Sequence, residues 1–178
     1  MTASQNFFEL FDLDVHFDID VDILSEKYRD LQKAVHPDRF VNASEQARLL
    51  SVQKAANIND AFLTLKSPLK RAKYMLSLRG IELDDENNTA MDSNFLMEQM
   101  ELREALAEVR GSADPIEAIE KLIDTIEEKI KSIVAKLKVG FEEPGSHSDS
   151  ELSEQIRKFQ FFEKLREDAE AIDASLEE

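Results

Sequence analysis

The sequence predicts an all-α protein built in two parts. Three observations carry this. Apolar residues recur at helical spacing almost throughout, and no strand-like alternation of any length occurs. Only four glycines and four prolines punctuate the 178 residues. One polar, acidic, aperiodic stretch, IELDDENNTAMDSN (81–94), reads as a linker. A chain of this length holds one ordinary domain or two small ones, and each half would sit near the size at which a single core is only marginally stable.

The elements follow in order. A short first helix is expected over Phe7 to Leu13, followed by the acidic turn HFDIDVD. Asp20 or Asp22 can cap a second helix, in which Ile23, Tyr28, Leu31 and Ala34 recur at helical spacing. It must end near His36, because Pro37 disfavours α conformation in the residue before it. A third helix is expected from near Ser44, with Asn42 and Glu45 placed like a capping box, running through Val52, Ala55, Ile58, Ala61, Phe62 and Leu65. Pro68 breaks it or opens a short fourth helix that stops near Arg79, before Gly80. After the linker, Phe95 to Arg110 forms one helical pattern. Asp114 and Pro115, a capping acid and a first-turn proline, start another with a stripe of Ile116, Ile119, Leu122, Ile123, Ile126, Ile130, Ile133 and Leu137. The stretch VGFEEPGSHSDS (139–150) reads as a loop. A last helix carries Leu152, Ile156, Phe159, Phe162, Leu165, Ala169 and Ile172. Three amphipathic helices with short connections predict an up–down three-helix bundle.

Composition narrows the function classes. Without cysteine there are no disulfides, thiolate metal sites or cysteine nucleophiles, which fits a reducing compartment. No apolar run approaches the roughly 20 residues of a membrane span. The N-terminal stretch MTASQNFFELFDLD is acidic where a signal peptide is basic, so a cytoplasmic protein is expected. Charges cancel over residues 1–80, so the net charge of −16 falls entirely on residues 81–178. That argues against nucleic acid, which is held by clustered cations. Cations do cluster within the neutral half. Lys27, Arg29, Lys33 and Arg39 surround one stretch, and Lys66, Lys70, Arg71, Lys73 and Arg79 follow without an intervening acid. A local basic patch on an acidic protein suits an acidic protein partner.

The stretch between those first cations is KAVHPDRFVNASEQA (33–47), where His36, Pro37 and Asp38 sit side by side. Catalysis by His36 and Asp38 would need a pocket and a third group to orient the imidazole. The other two histidines, His16 and His147, lie in polar loops, and no phosphate loop, nucleophile elbow or paired-histidine helix occurs. One histidine beside one aspartate is too little for a metal. On the tripeptide alone, a histidine ending a helix is the simplest account, since a cation suits that end of the dipole.

The surroundings change this. EKYRDLQKAVHPDRF (26–40) followed by INDAFLTLKSPLKRAKY (58–74) resembles a J-domain, the co-chaperone module that stimulates DnaK-type chaperone ATPases, over residues 6–76. Tyr28, Leu31 and Ala34 match core positions, as do Ala61, Phe62 and Leu65, and Pro68, Arg71 and Tyr74 match the family's ending. The resemblance implies that His36, Pro37 and Asp38 form a docking loop, and that Lys27, Arg29, Lys33 and Arg39 meet an acidic surface of the chaperone. Proline fixes the loop and lowers the entropy lost on docking. Asp38 is suited to accept a charge-assisted hydrogen bond from a chaperone arginine. ATP hydrolysis would then occur in the partner, with this chain an allosteric trigger and not an enzyme.

In NFLMEQMELREALAEV (94–109), Phe95, Leu102, Leu106 and Val109 share a stripe about 60° wide at 100° per residue, suited to the core. Leu96, Met97 and Met100 fall on a different face, bordered by Glu101 and Glu104. A second apolar face is surplus to a core helix and suits adaptable protein contacts. Periodicity leaves open whether it meets the first half, a second copy or another protein. FLMEQMELRE and RKFQFFEKLR (157–166) are similar to the C-terminal domain of the HscB family, J-proteins of iron–sulfur cluster assembly. The resemblance implies a J-domain with a helical extension over 1–80, the linker 81–94 and a scaffold-binding bundle over 95–178. It implies that Leu96, Met97, Met100, Glu101, Glu104 and Phe161 bind an IscU-type scaffold and deliver it to an HscA-type chaperone. Phe161 lies off the centre of its helix's apolar stripe, consistent with exposure. Nothing here matches the cysteine-rich metal-binding extension of some eukaryotic members, so the chain resembles the bacterial type. No cofactor or metal is expected. A transient adaptor is expected to be a monomer. The alternative is a J-domain adaptor for a different protein client.

Overall fold

The computed structural model describes residues 5–40, 43–83, 92–143 and 145–176, the side chains of Pro37 and Arg39 excepted. The described residues form helices and turns, in two compact units, Met1–Arg79 and Gly80–Glu178. The all-α expectation holds, with a helical hairpin flanked by short helices in the first unit and a three-helix bundle in the second.

In the first unit, α1 spans Phe7–Leu10 and opens on a capping box between Asn6 and Glu9. It stops three residues short of the expected Leu13. The N–H groups of Phe11 and Asp12 fold back onto the carbonyls of Phe8 and Glu9, and Asp12 turns left-handed at φ 50°. Aspartate tolerates that conformation better than most side chains. The ring of Tyr74 stacks 4.5 Å from Phe7 while its hydroxyl accepts the Phe7 N–H at 2.9 Å, so the fourth helix caps the first.

Helix α2 spans Val21–Val35, and its cap is Asp20, which accepts from the Asp22 and Ile23 N–H groups. Its innermost residue is Leu24, fully buried, whereas Ile23 and Ala34 face solvent. The face that packs is Leu24, Tyr28 and Leu31, with Ile23 one residue, or about 100°, off it. Tyr28 stacks on Phe62 at 4.1 Å. Helix α3, Glu45–Lys66, is capped by Ser44, whose hydroxyl takes the Ala47 N–H; Asn42 lies outside the described residues. Ile58, Ala61 and Leu65 are buried as expected, but Val52 is exposed and Ser51 is buried instead. Ser51 tolerates burial because its hydroxyl donates to the Arg48 carbonyl at 2.9 Å.

Helix α4, Pro68–Leu78, uses Ser67 as its cap and Pro68 in its first turn, and Gly80 follows it at φ +79°. It carries Arg71 into the core. The Arg71 guanidinium donates to the Leu65 carbonyl at 2.6 Å and sits 5.0 Å from the Phe17 ring centre. Burial pushes its pKa down to about 10, with Asp18 opposing the shift, so the group stays charged at neutral pH. Arg71 thus ties the acidic turn between α1 and α2 to the α3–α4 corner.

The second unit is built from α5 (Ser93–Glu108), a 3₁₀ turn at Val109–Gly111, α6 (Pro115–Glu142) and α7 (Asp149–Leu176). Arg110 bonds Ser175 near the end of α7, just before α6 begins, and Gly140 near the end of α6 meets Leu152 near the start of α7. Helices α6 and α7 are therefore antiparallel, and α5 runs alongside α7 from Phe95 toward Arg110. Of the stripe from Ile119 to Leu137, Ile119, Leu122, Ile126, Ile133 and Leu137 are buried and Ile123 and Ile130 half-buried, and Leu152, Ile156, Phe159, Phe162, Leu165 and Ala169 are buried as well. Each such large apolar side chain contributes about 1.5–3 kcal/mol. Ile116, at the margin of the stripe, stays exposed.

The loop expected from Val139 begins later, because α6 continues through Gly140 to Glu142. Gly140 is there for clearance and not as a breaker: a Cβ at this position would stand 2.5 Å from Leu152 Cδ2. Ser148 and Glu151 then form a reciprocal capping box that starts α7. Of the stretch read as a linker, residues 84–91 lie outside the described residues, and Asp92 caps α5 at Asn94.

Candidate functional site

Two surfaces carry the residues singled out in the sequence, one in each unit. The first is the end of α2. His36 is the C-cap at ψ 133°, and Pro37–Phe40 continue as one 3₁₀ turn. Both ionisable side chains stand in solvent, His36 with 58% and Asp38 with 87% of the side chain exposed. The Asp38 N–H donates to His36 Nδ1 at 3.3 Å, while the Asp38 carboxylate lies 3.5 Å from the same nitrogen. The two contacts exclude each other chemically. A nitrogen that accepts the amide proton carries none, which leaves Nε2–H as the outward donor. Among the described residues no group of three or more potential metal ligands occurs.

The cations of α2 do not act as one set. Arg29 and Lys33, one turn apart, share an exposed face; Lys33 meets Asp30 at 3.3 Å, an exposed contact worth little. Lys27 projects elsewhere. Its ammonium donates to the Asp12 carbonyl at 2.7 Å and lies 3.3 Å from the Asp12 carboxylate, closing the end of α1. The side chain of Arg39 is outside the described residues.

The second surface lies on α5. Phe95 faces inward at 3% exposure, as does Val109, while Leu96, Met97 and Met100 are exposed at 46%, 59% and 71%. Glu101 and Glu104 are exposed beside them. Phe161 of α7 is half-buried, less open than its position off the stripe suggested. Its ring sits edge-on to Phe95 at 5.7 Å and to Phe162 at 5.3 Å. The guanidinium of Arg103 lies 5.4 Å from the Phe161 ring centre and covers it further.

Three contributors escaped sequence reasoning. Arg103, set among glutamates, reads as a solvated charge until the fold brings it to Phe161. Glu98 pairs with Lys129 of α6 and fixes the flank of α5. Lys158 stands 5.3 Å from the Phe95 ring centre and 2.6 Å from Glu154. With Phe95, Met97, Glu98 and Glu101, Lys158 lines a depression of about 410 Å³ beside the exposed methionine. Only the three-dimensional pairing of α5 with α6 and α7 assembles these groups, although the spacing of Phe95, Glu98 and Glu101 hinted at a shared edge.

Comparison with known proteins agrees with both halves. The family model described as the HSCB C-terminal oligomerisation domain matches residues 91–170. A relative from Shewanella sp. strain ANA-3, a co-chaperone protein HscB homolog, is 48% identical over 172 residues, covering 96% of this chain and 98% of its own. The structure of chaperone HscB from Vibrio cholerae superimposes with a TM-score of 0.86 at 43% identity, covering 96% of this chain and 99% of that one. Human co-chaperone protein HscB gives a TM-score of 0.87 at 30% identity, covering 96% and 83% respectively. These matches extend over both units, and the chain therefore belongs to the HscB family of co-chaperones.

Proposed function

We propose that this protein is an adaptor of iron–sulfur cluster assembly that binds an IscU-type scaffold through its second unit and presents it to an HscA-type chaperone of the DnaK family. The observation that carries this reading is the placement of an unburied apolar face, Leu96, Met97 and Met100, on a helix whose opposite face packs inward through buried Phe95 and half-buried Leu102 and Leu106. Such a face, with Glu101 and Glu104 at its edge, offers apolar contact and a charged rim to a protein client. Phe161, held by Phe95 and Phe162, supplies a rigid aromatic edge to the same surface.

On the first unit, His36, Pro37 and Asp38 act as a docking loop that stimulates hydrolysis in the chaperone. Their exposure supports docking over catalysis, since neither His36 nor Asp38 is shielded from water as a general acid or base usually is. Arg29 and Lys33 offer positive charge to an acidic chaperone surface, with Arg39 beyond the loop. Lys27 contributes mainly by fixing α1 against α2. The protein acts without a catalytic step, cofactor or metal of its own, as a monomer in the cytoplasm.

Isothermal titration of the scaffold into the full chain tests this reading. The wild type should bind, and the Leu96→Ala/Met97→Ala variant should bind at least tenfold more weakly, as loss of two apolar anchors implies. Equal affinities would remove α5 as the client face and favour a J-domain adaptor for a different client.

A further inference from the structure

Two methionines on this surface are widely exposed. Among the described residues Met100 is the most exposed of the large apolar ones at 71%, and Met97 follows at 59% together with Leu49. They lie three residues apart, next to Leu96, on one side of α5. Met75, in α4, is buried at 5%. The chain has no cysteine, so thioethers are its only sulfur nucleophiles.

We propose that Met97 and Met100 are sites of reversible oxidation by hydrogen peroxide, and that their sulfoxides release the client from α5. This rests on the reading of α5 as the client face. In the step, a lone pair of the thioether sulfur attacks one peroxide oxygen. The O–O bond breaks as the S–O bond forms, the sulfur loses two electrons, and the departing hydroxide takes the proton from the transferred oxygen and leaves as water. Peroxide is neutral, so the nearby carboxylates of Glu101 and Glu104 do not repel it. The product places a polar, chiral sulfoxide where the contact needs an apolar side chain. Methionine sulfoxide reductase reverses it, with a pair of thiols giving up two electrons and the oxygen leaving as water.

The fold makes this a local event. Phe95 and Val109, not the methionines, anchor α5 to the bundle, so oxidation alters the face without emptying the core. A client docked on α5 would have to strip water from the sulfoxide oxygens, which gain no partner among Leu96 and Phe161. Burying an unpartnered polar group on each of two side chains is expected to weaken binding about tenfold or more.

The test treats the full chain with hydrogen peroxide, follows each methionine by peptide mass spectrometry, and titrates the IscU-type scaffold before and after. Met97 and Met100 should each gain one oxygen well before Met75, with helix content unchanged. Scaffold affinity should fall at least tenfold and return after treatment with the two epimer-specific methionine sulfoxide reductases together. A Met97→Leu/Met100→Leu variant should keep whatever affinity it has through the same treatment, while Met75→Leu should lose affinity as the wild type does. Oxidation of Met75, Met97 and Met100 at one rate would overturn the proposal, as would sulfoxides at 97 and 100 with unchanged affinity. An untreated chain that binds no scaffold would overturn the functional reading and the release with it; the order of oxidation, measured without client, is judged separately.

Discussion

Lys27 donates a hydrogen bond of 2.7 Å to the carbonyl of Asp12, the residue at which the chain turns left-handed after α1. A side chain that reads as one of four docking cations is thereby committed to holding the first helix against the second. Arg29, two residues on, lies exposed on another side of α2.

This separates two variants that charge alone would treat as equal. Lys27→Ala should lower the stability of the first unit by about 1 kcal/mol, the worth of a partly exposed hydrogen bond to a carbonyl. Arg29→Ala should leave stability within about 0.5 kcal/mol while weakening chaperone docking. Thermal unfolding alongside chaperone titration reads both quantities. Equal stability of the two variants would show that the Lys27 contact contributes nothing.

A second pair divides in the same way on the client side. Phe161→Ala removes a half-buried ring packed on Phe95 and Phe162 and should cost about 1–3 kcal/mol of stability, part of the full cost of a buried ring. Met97→Ala, at an exposed position, should cost less than about 0.5 kcal/mol. Both should weaken scaffold binding. Denaturant titrations that give the two variants the same midpoint would contradict the aromatic cluster.

The start of α7 gives a pH dependence with a defined sign. Hydrogen bonds from the Ser148 N–H and hydroxyl hold the Glu151 carboxyl below its ordinary value. A depressed folded-state value means stabilisation that is present above the unfolded-state pKa, near 4.5, and lost as pH falls through the lower, folded value. Glutamine can also close a capping box but does not titrate. The stability difference between wild type and Glu151→Gln should therefore be largest at neutral pH and shrink on acidification. A difference independent of pH between 3 and 7, in unfolding measured across that range, would contradict the capping role.

Salt should distinguish the two surfaces. The Debye length falls from about 8 Å at physiological ionic strength to about 3 Å at 1 M, which screens exposed cations such as Arg29 and Lys33 and leaves apolar contact largely unaffected. Chaperone docking should weaken with added salt more than scaffold binding does. Parallel titrations showing equal salt slopes would refute this division.

Much of the fold was legible from periodicity. The buried faces of α6 and α7 follow the apolar stripes, and the caps at Asp20 and Asp114 stand where short polar residues precede helical patterns. The misreadings have specific causes. The loop was expected from Val139, short of the observed end of α6 at Glu142, because the use of Gly140 as clearance for Leu152, a residue twelve positions away, is invisible in sequence. Ile23 and Val52 looked like core because periodicity gives spacing and leaves the phase of the buried face free by a residue. The exposed apolar face of α5 was legible because Phe95, Leu102, Leu106 and Val109 already account for a complete inner stripe. Arg103 and Lys158 were not, because each depends on an aromatic ring from another helix.

In the proposed mechanism an exposed loop at His36 triggers hydrolysis elsewhere while α5 supplies the client. Steady-state ATP hydrolysis by the HscA-type chaperone, with this protein and the IscU-type scaffold added separately and together, tests it most directly. Expected are stimulation by this protein, greater than additive stimulation with the scaffold, and loss of both in His36→Gln with the unfolding midpoint unchanged. Absence of stimulation by the wild type, or full stimulation by a folded His36→Gln variant, would contradict it.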